Sequence, residues 1–346
     1  MGSVTSEGEG TEGQPTLETV AARARVSRAT VSRVLNGSPN VSALTHESVM
    51  RAVSELGYLP NRAARSLVTR RSDSVALLVS EDESRLFADP FFAGVVRGAT
   101  SELADTDIQV VLAMAQNRSE RERFERYATG RHVDGVLLVS EHGDDPLPQV
   151  LQKSRVPVVL LGRPHGRYGR YYVDADNLGG ARRAVTRLID QGRQRIGTIA
   201  GPQDMSPGVD RLEGYYKALR EVGMSLDAGL VVEADFSEEG GARAAESLLR
   251  ARPHLDGLFV ASDLMAAGAL RVLRARGRSV PDSVAIVGFD DSVVARQTSP
   301  QLTTIRQPVE ELGRRMTRLL LRVIDGDRII EPHVILETKL VVRKSG

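Results

Sequence analysis

The run Pro15-Thr-Leu-Glu-Thr-Val-Ala-Ala-Arg-Ala-Arg-Val-Ser-Arg-Ala-Thr-Val-Ser-Arg-Val-Leu-Asn36 reads as two short helices and the turn between them. Thr16 is placed to cap a helix over 17–24, whose apolar Leu17, Val20 and Ala21 fall at i, i+3 and i+4. Val26 turns the chain, and Ser27 is placed to cap a second helix over 28–35. That helix directs Val31, Val34 and Leu35 inward and carries Arg28, Ala29, Ser32, Arg33 and Asn36 on or near its outer face. Two helices joined this closely form a helix-turn-helix. Gly37-Ser-Pro39 stops the second, and Thr45 is expected to cap a third over 47–56 that closes a small core with Val49, Val53 and Leu56. So small a core implies marginal stability.

The second helix has what entry into a major groove requires. Its capped N-terminus can approach phosphate, its small side chains allow close approach, and its arginines can pair with guanine O6 and N7. Charge agrees. Residues 16–71 hold nine arginines against Glu18, Glu47 and Glu55, a net +6, whereas the whole 346-residue chain is only +1. The first fifteen residues contribute −3, which leaves −2 for 72–346. A small basic head on a slightly acidic body suggests a polyanionic partner, and the groove-entering helix makes that partner double-stranded DNA. All but four of the 46 basic residues are arginine, which suits planar contact to phosphate or guanine.

Several classes of function are excluded or disfavoured. With no cysteine there are no disulfides, thiolate metal sites or cysteine nucleophile, which fits a reducing, cytoplasmic location. The six histidines are dispersed, His132 and His142 being the nearest pair, so no metal or other cofactor is expected. The longest apolar runs, such as 156–161, fall well short of the ~18–20 residues that span a bilayer, so no membrane partner is expected. Residues 1–15 read as a disordered, uncleaved tail. Gly8-Glu-Gly-Thr-Glu-Gly13 matches a dinucleotide-binding pattern in letters only, because no strand precedes it and no helix follows at once.

From Ser74 onward, short apolar runs alternate with helical stretches. Runs at 75–79, 110–114, 136–139, 156–161, 196–200, 230–233, 258–261 and 284–289 read as buried parallel strands, with helices such as 91–103, 180–191, 211–222, 240–250 and 264–276 between them. This is doubly wound α/β, and the pattern restarts near Gly192, giving two similar lobes. A ligand is expected in the cleft lined by the carboxyl ends of the strands. The expected fold is therefore an all-α head on a two-lobed α/β body.

Pro15–Asn36, together with Leu56-Gly-Tyr-Leu-Pro-Asn-Arg-Ala-Ala-Arg-Ser-Leu67, resembles the N-terminal signature and hinge of the lactose/galactose repressor (LacI) family, and the likeness runs over essentially the whole chain after the tail. The resemblance implies that positions matching Arg28, Ala29 and Arg33 read bases. It further implies that the hinge folds into a helix on operator DNA, where the residue matching Leu67 wedges into the minor groove. Unstacking a base step costs a few kcal/mol, offset by the extra surface a bent duplex meets. Independently, 61–69 has little apolar surface to bury and is expected to order only on binding. The candidate DNA contacts are Thr16, Ser27, Arg28, Ala29, Thr30, Ser32, Arg33, Asn36, Asn40, Tyr58, Asn61, Arg62, Ala64 and Leu67.

For the body, the resemblance implies a periplasmic-sugar-binding-protein-like architecture in which the chain crosses between lobes three times, near Asp174, Leu302 to Ile305 and Leu336. The expected divisions are a tail (1–15), a head (16–60), a hinge and linker (61–73), a first lobe (74–174 and 305–335) and a second lobe (175–303 and 336–346). Without tryptophan, Phe87, Phe91 and Phe236 are the candidate apolar platform for a sugar. Positions matching effector contacts of the family are these three with Asp89, Arg163, Arg211, Ser262, Asp290 and Gln307, and His142 could join them. Carboxylates and an arginine in one cleft can make the paired hydrogen bonds that sugar hydroxyls take. Thr69-Arg-Arg-Ser-Asp-Ser-Val-Ala-Leu, Asp89-Pro-Phe-Phe, Asp144-Asp-Pro-Leu-Pro and Gly201-Pro-Gln-Asp-Met resemble an actinobacterial, cello-oligosaccharide-responsive subgroup. That likeness favours cellobiose or a related β-glucoside as effector, another disaccharide being the alternative. Gly162 and Pro207 depart from polar positions of some members, so contacts do not carry over wholesale.

An enzyme on the same body is disfavoured: there is no Walker A loop, no G-x-S-x-G elbow and no paired-histidine motif. Asp134, Asp263 and Asp290 offer carboxylates for a glycosidase, but nothing in their spacing pairs them. A secreted sugar-binding protein is disfavoured by the basic head. A palindromic operator implies a symmetric homodimer. The chain runs to Arg343-Lys-Ser-Gly346 with no heptad extension of the kind that makes some family members tetramers, so a tetramer is less expected than a dimer.

Overall fold

The computed structural model describes residues 15–35, 38, 40–58, 71–143, 145–164 and 170–346. Asn36, Asn61, Arg62, Ala64 and Leu67, and with them most of the expected hinge and tail, lie outside the described residues. The chain divides into two units, Met1–Ser72 and Asp73–Gly346.

In the first unit, α1 (Leu17–Ala24), α2 (Arg28–Leu35) and α3 (Ala43–Leu56) enclose a core that includes Val20, Val31, Val34, Val49 and Ala52. Thr16 and Thr19 cap α1 reciprocally, and Arg25 closes it in the left-handed region at φ 57°. The Ser27 hydroxyl accepts the Thr30 N–H at 3.1 Å, capping α2. Helix α3 starts earlier than the expected 47 because Ser42, not Thr45, caps it: the Ser42 hydroxyl accepts the Thr45 N–H at 3.2 Å.

The second unit begins with β1 (Ser74–Val79), α4 (Glu83–Ala88), α5 (Pro90–Glu102), β2 (Gln109–Met114), α6 (Arg118–Thr129), β3 (Gly135–Val139), α7 (Leu147–Lys153), β4 (Val158–Leu161) and β5 (Tyr172–Ala175). The pattern repeats with α8 (Asn177–Asp190), β6 (Ile196–Ala200), α9 (Ser206–Glu221), β7 (Val231–Glu233), α10 (Glu238–Ala251), β8 (Gly257–Val260), α11 (Asp263–Ala275), β9 (Ala285–Asp290), α12 (Val293–Gln297) and β10 (Thr303–Arg306). It ends with α13 (Val309–Ile324), β11 (His333–Leu336) and β12 (Lys339–Val341). The strands form two six-stranded sheets in the orders β11-β5-β4-β3-β1-β2 and β12-β10-β9-β8-β6-β7, the same winding twice. Pairing is parallel throughout except for β12 against β10. Helices cover both faces, so β3 and β8 are buried at every position.

The chain passes between lobes after β5, after β10 and between β11 and β12. The middle crossing lies beyond Arg306 rather than within Leu302 to Ile305, because 303–306 pairs with β9 as a strand of the second sheet. The chain then enters the first lobe as α13, which packs on α5 so closely that a Cβ on Gly98 would lie 2.0 Å from the Glu310 carbonyl oxygen. Reciprocally, a Cβ on Gly313 would lie 2.4 Å from the Val95 carbonyl. Among the described residues no helix is long and apolar enough to cross a membrane.

Candidate functional site

On the first unit, Val31 and Val34 of α2 are buried while Ser27, Arg28, Ala29 and Arg33 stand exposed, with Thr30 and Ser32 partly so. This is the outward face the helical period requires. Arg28 pairs with Glu18 at 3.2 Å, both side chains largely exposed. Such a surface pair is weak, so the guanidinium can exchange its partner for phosphate or a base edge. Thr16 and Ser27 serve as helix caps, their hydroxyls accepting the Thr19 and Thr30 N–H groups. Asn40 is exposed. Tyr58 differs from expectation. It is only 6 % exposed and belongs to the core with Val31 and Val49.

In the second unit, a cavity of about 780 Å³, counting its solvent-open mouth, lies between the lobes. The carboxyl ends of both sheets bring its walls together: Ser140 follows β3, Arg163 follows β4, Asp174 lies in β5, Ser262 follows β8, Asp290 ends β9 and Gln307 follows β10. Phe91, Phe92, Met205 and Phe236 give it apolar faces. Of the expected residues, Asp89, Phe91, Arg163, Arg211, Phe236, Ser262, Asp290 and Gln307 all line this cavity.

Arg211 is its electrostatic centre. The side chain is buried, with Nε donating to Asn177 Oδ1 at 2.9 Å and Nη1 donating to the Ala261 carbonyl at 2.6 Å. Nη1 also lies 3.6 Å from Asp290 Oδ1, and the guanidinium lies 3.8 Å from the centroid of Phe289. Gln307 Nε2 donates to Asp290 Oδ1 at 2.7 Å. Asp290 sits at φ 116°, a backbone region costly to a side chain, as is frequent where function fixes geometry. Burial pushes Asp290 up to about 7 against the pull of Arg211, and pushes Asp174 up to about 6. Burial also raises Asp89, whose carboxylate caps α5 by accepting the Phe91 N–H at 2.9 Å. Acids with these environments make hydrogen bonds to neutral hydroxyl groups rather than strong anion or cation sites.

Two expected residues stand elsewhere. Phe87 is 74 % exposed and does not line the cavity, because α4 buries Leu86 and so turns the next residue outward. Phe92, one residue past Phe91, supplies the second ring. His142 is not a wall residue: Nδ1 lies 2.9 Å from Asp204 of the second lobe and Nε2 lies 3.1 Å from Glu81 of the first. Of the carboxylates considered for a glycosidase, Asp134 precedes β3, at the end of the sheet away from the cavity. Asp263 is buried, its carboxylate accepting from the Thr304 hydroxyl at 2.6 Å and the Ser292 N–H at 2.8 Å. Arg85, Asn177, Ser140 and Ser206 line the cavity without having been expected there. Asn177 follows a four-residue strand, β5, that shows no clear pattern of its own, and Arg85 lies on the short helix α4.

A helix-turn-helix unit and a two-lobed body with a ligand cavity at the carboxyl ends of its sheets define a ligand-responsive transcriptional regulator. Residues 16–61 match the model of the lacI family of bacterial regulatory proteins, and 185–346 match that of a periplasmic binding protein-like domain. The chain is 54 % identical to the HTH-type transcriptional regulator CelR of Thermobifida fusca, over 96 % of this chain and 98 % of that protein. It is 33 % identical to the HTH-type transcriptional repressor CytR of Escherichia coli, over 95 % and 96 %. Among solved structures, a complex of the transcriptional regulator CelR with cellobiose is similar at TM-score 0.78 and 52 % identity, covering 96 % of this chain and all of that one. A lac repressor dimer bound to operator and an anti-inducer is similar at TM-score 0.84 and 28 % identity, covering 96 % and 99 %. The chain belongs to the LacI family of bacterial regulatory proteins; it is a transcriptional regulator and not an enzyme.

Proposed function

We propose that this regulator is a homodimeric repressor of sugar-utilisation genes that holds a palindromic operator and is released by cellobiose, or a closely related cello-oligosaccharide, bound between its lobes. The observation that carries the effector reading is the cavity itself. Apolar faces from Phe91, Phe92 and Phe236 surround a polar set of Asp89, Asp174, Arg211, Asp290 and Gln307. Aromatic faces for the CH surface of a pyranose and carboxyl and guanidinium groups for its hydroxyls are the two halves of neutral sugar recognition. The cellobiose bound by a solved relative of 52 % identity points the same way.

The DNA contacts proposed are those of the α2 face, Arg28, Ala29 and Arg33 foremost, with Ser27, Thr30, Ser32 and Asn40 positioning the helix, the hinge residues Asn61, Arg62 and Ala64 contacting the duplex, and Leu67 wedging into the minor groove. One head per half-site requires a two-fold dimer, the arrangement in which the related lac repressor is bound to its operator. A DNA-binding repressor of this kind works in the cytoplasm.

Release follows from differential binding: a ligand shifts the equilibrium only if it binds one lobe arrangement better than the other. In this structure both lobes wall the cavity, and Arg163 of the first lobe pairs with Asp210 of the second. A sugar touching both lobes favours their closure, which moves the first lobes of the dimer relative to each other, separates the two hinge segments and loosens the heads from DNA. The test is a mobility shift on a palindromic site, titrated with a panel of disaccharides and paired with calorimetry. Retention of the shift at saturating cellobiose sinks the reading, whereas release by a different disaccharide alone replaces the effector.

A further inference from the structure

We infer that Ser206 is a specificity-determining residue of the effector site, its hydroxyl donating to an oxygen of the bound sugar where the two lobes meet. The assignment rests on the reading of the cavity as a sugar site and extends it to a residue outside the matched effector positions.

Ser206 is the first residue of α9 and lines the cavity, yet it is only 5 % exposed. Its hydroxyl makes no hydrogen bond to any described residue. The other hydroxyls of the cavity are engaged: Ser140 donates to Glu81 Oε1 at 2.7 Å, and Ser262 accepts the Met265 N–H at 3.2 Å. Thr198 and Ser292 also carry hydroxyls without partners, but those oxygens are closed off entirely, whereas the Ser206 oxygen keeps an open surface at the cavity wall. A polar group held so close to burial without a partner calls for one, and here the cavity is where the partner arrives.

The neighbouring lobe leaves this hydroxyl uncovered. Gly162 of the first lobe faces Ser206 of the second, and a Cβ on Gly162 would lie 3.3 Å from Ser206 Oγ, tighter than ordinary contact. Gly162 also sits at φ 100°, where any side chain is strained, so both space and backbone keep the position bare. One turn along α9, Asp210 pairs with Arg163 of the first lobe, which fixes this end of the helix against the cleft and sets the direction of the donor before a sugar arrives.

Charge says what the partner is. Each cavity arginine already faces a carboxylate, Arg85 with Glu81, Arg163 with Asp210 and Arg211 with Asp290, so no spare positive charge remains for an anion. The partner is therefore neutral. Met205 precedes α9 without a side-chain oxygen to cap it, so the positive end of a sixteen-residue helix stands at the cavity wall. That end favours a lone pair, so a sugar oxygen accepts and the Ser206 O–H donates.

The test uses the full-length protein and isothermal calorimetry with cellobiose and its monodeoxy derivatives. Wild type is expected to lose about tenfold in affinity when the hydroxyl that meets Ser206 is removed. S206A is expected to bind cellobiose about tenfold more weakly, to lose the penalty at that one deoxy position and to keep the penalties at the others. S206C keeps the volume but is a weak donor, and is expected to share the loss. Both variants should melt close to wild type without sugar, since no internal hydrogen bond is removed. Variants within twofold of wild type for cellobiose, or variants that keep every deoxy penalty, overturn the Ser206 assignment and leave the effector reading standing. A wild-type protein with no affinity for cellobiose overturns the effector reading and the assignment with it.

Discussion

His142 of the first lobe stands between two carboxylates, 2.9 Å from Asp204 of the second lobe and 3.1 Å from Glu81 of its own. Both neighbours are acceptors, so both ring nitrogens are satisfied only when both carry hydrogen, as imidazolium. The Gly143 N–H donates to the Asp204 carbonyl at 2.7 Å alongside, making a two-point clasp across the cleft.

The clasp is sensitive to pH in a defined direction. The bond to Glu81 foremost, and that to Asp204, raise His142 above its ordinary 6.5, against the effect of burial. A raised histidine contributes stability that is fully present below 6.5 and is lost as pH rises through the higher folded value. Asp204 is half exposed, so the contribution is about 0.5–1 kcal/mol. H142A is expected to lower the melting temperature of the effector-free protein at pH 6 and to leave it unchanged at pH 9. Equal destabilisation at both would show that the ring matters for packing and not for charge.

Asp290→Asn replaces the cavity acceptor that takes the Gln307 Nε2 hydrogen bond and faces Arg211 at 3.6 Å. Effector affinity is expected to fall roughly tenfold to a hundredfold, read by calorimetry. The pH profile gives a second check. A carboxyl raised to about 7 favours the folded state below its unfolded value of 3.8, and that advantage is lost as pH rises through 7. The gap in melting temperature between wild type and the variant should therefore narrow from pH 5 to pH 8. A gap that widens refutes the raised carboxyl.

Arg33→Ala removes an exposed guanidinium from the outer face of α2 and leaves the core residues Val31 and Val34 untouched. Operator affinity should fall by about 1–3 kcal/mol, with discrimination against unrelated duplex falling too. Competition binding at fixed salt measures both. A loss of equal size on operator and random DNA would make Arg33 a phosphate contact instead.

Gly98→Ala places a methyl group where the Glu310 carbonyl already stands, so α5 and α13 must separate. Overpacking of this kind costs about 1–3 kcal/mol or more. Thermal unfolding of the body should register it as a clear drop in melting temperature, while Gly223→Ala, whose Cβ would meet nothing, changes stability only through its left-handed φ of 73°. Similar losses for the two would refute the close-contact account.

Local pattern made much of the fold legible. Helices α1 and α2 follow their apolar spacing and caps, and the strands at 74–79, 135–139 and 196–200 follow uninterrupted apolar runs between breakers. Elements whose cause is not local were missed. Helix α6 is dominated by charged residues and buries only Phe124 and Ala128, too few to mark a face. Strands β5, β10 and β11 run four residues each and exist because a neighbouring strand pairs with them. The site shows the same division: Asp290, Arg211 and Phe236 converge on one cavity, whereas Phe87 faces solvent and His142 joins the lobes.

What the linear order of residues decides here is chemistry and class. A capped, arginine-bearing helix after a tight turn, a +6 head on a −2 body, and alternating apolar runs that restart once are local or additive properties, and they specify a DNA-binding head on a two-lobed α/β body. What tertiary structure alone decides is convergence. Arg85, Phe236 and Asp290 are far apart in the chain and meet because two sheets of the same winding point their carboxyl ends at one cleft. The raised acids Asp174 and Asp290 and the His142 clasp are consequences of burial and of neighbours contributed by other elements. Burial and proximity depend on how the elements pack, so periodicity along the chain cannot supply them.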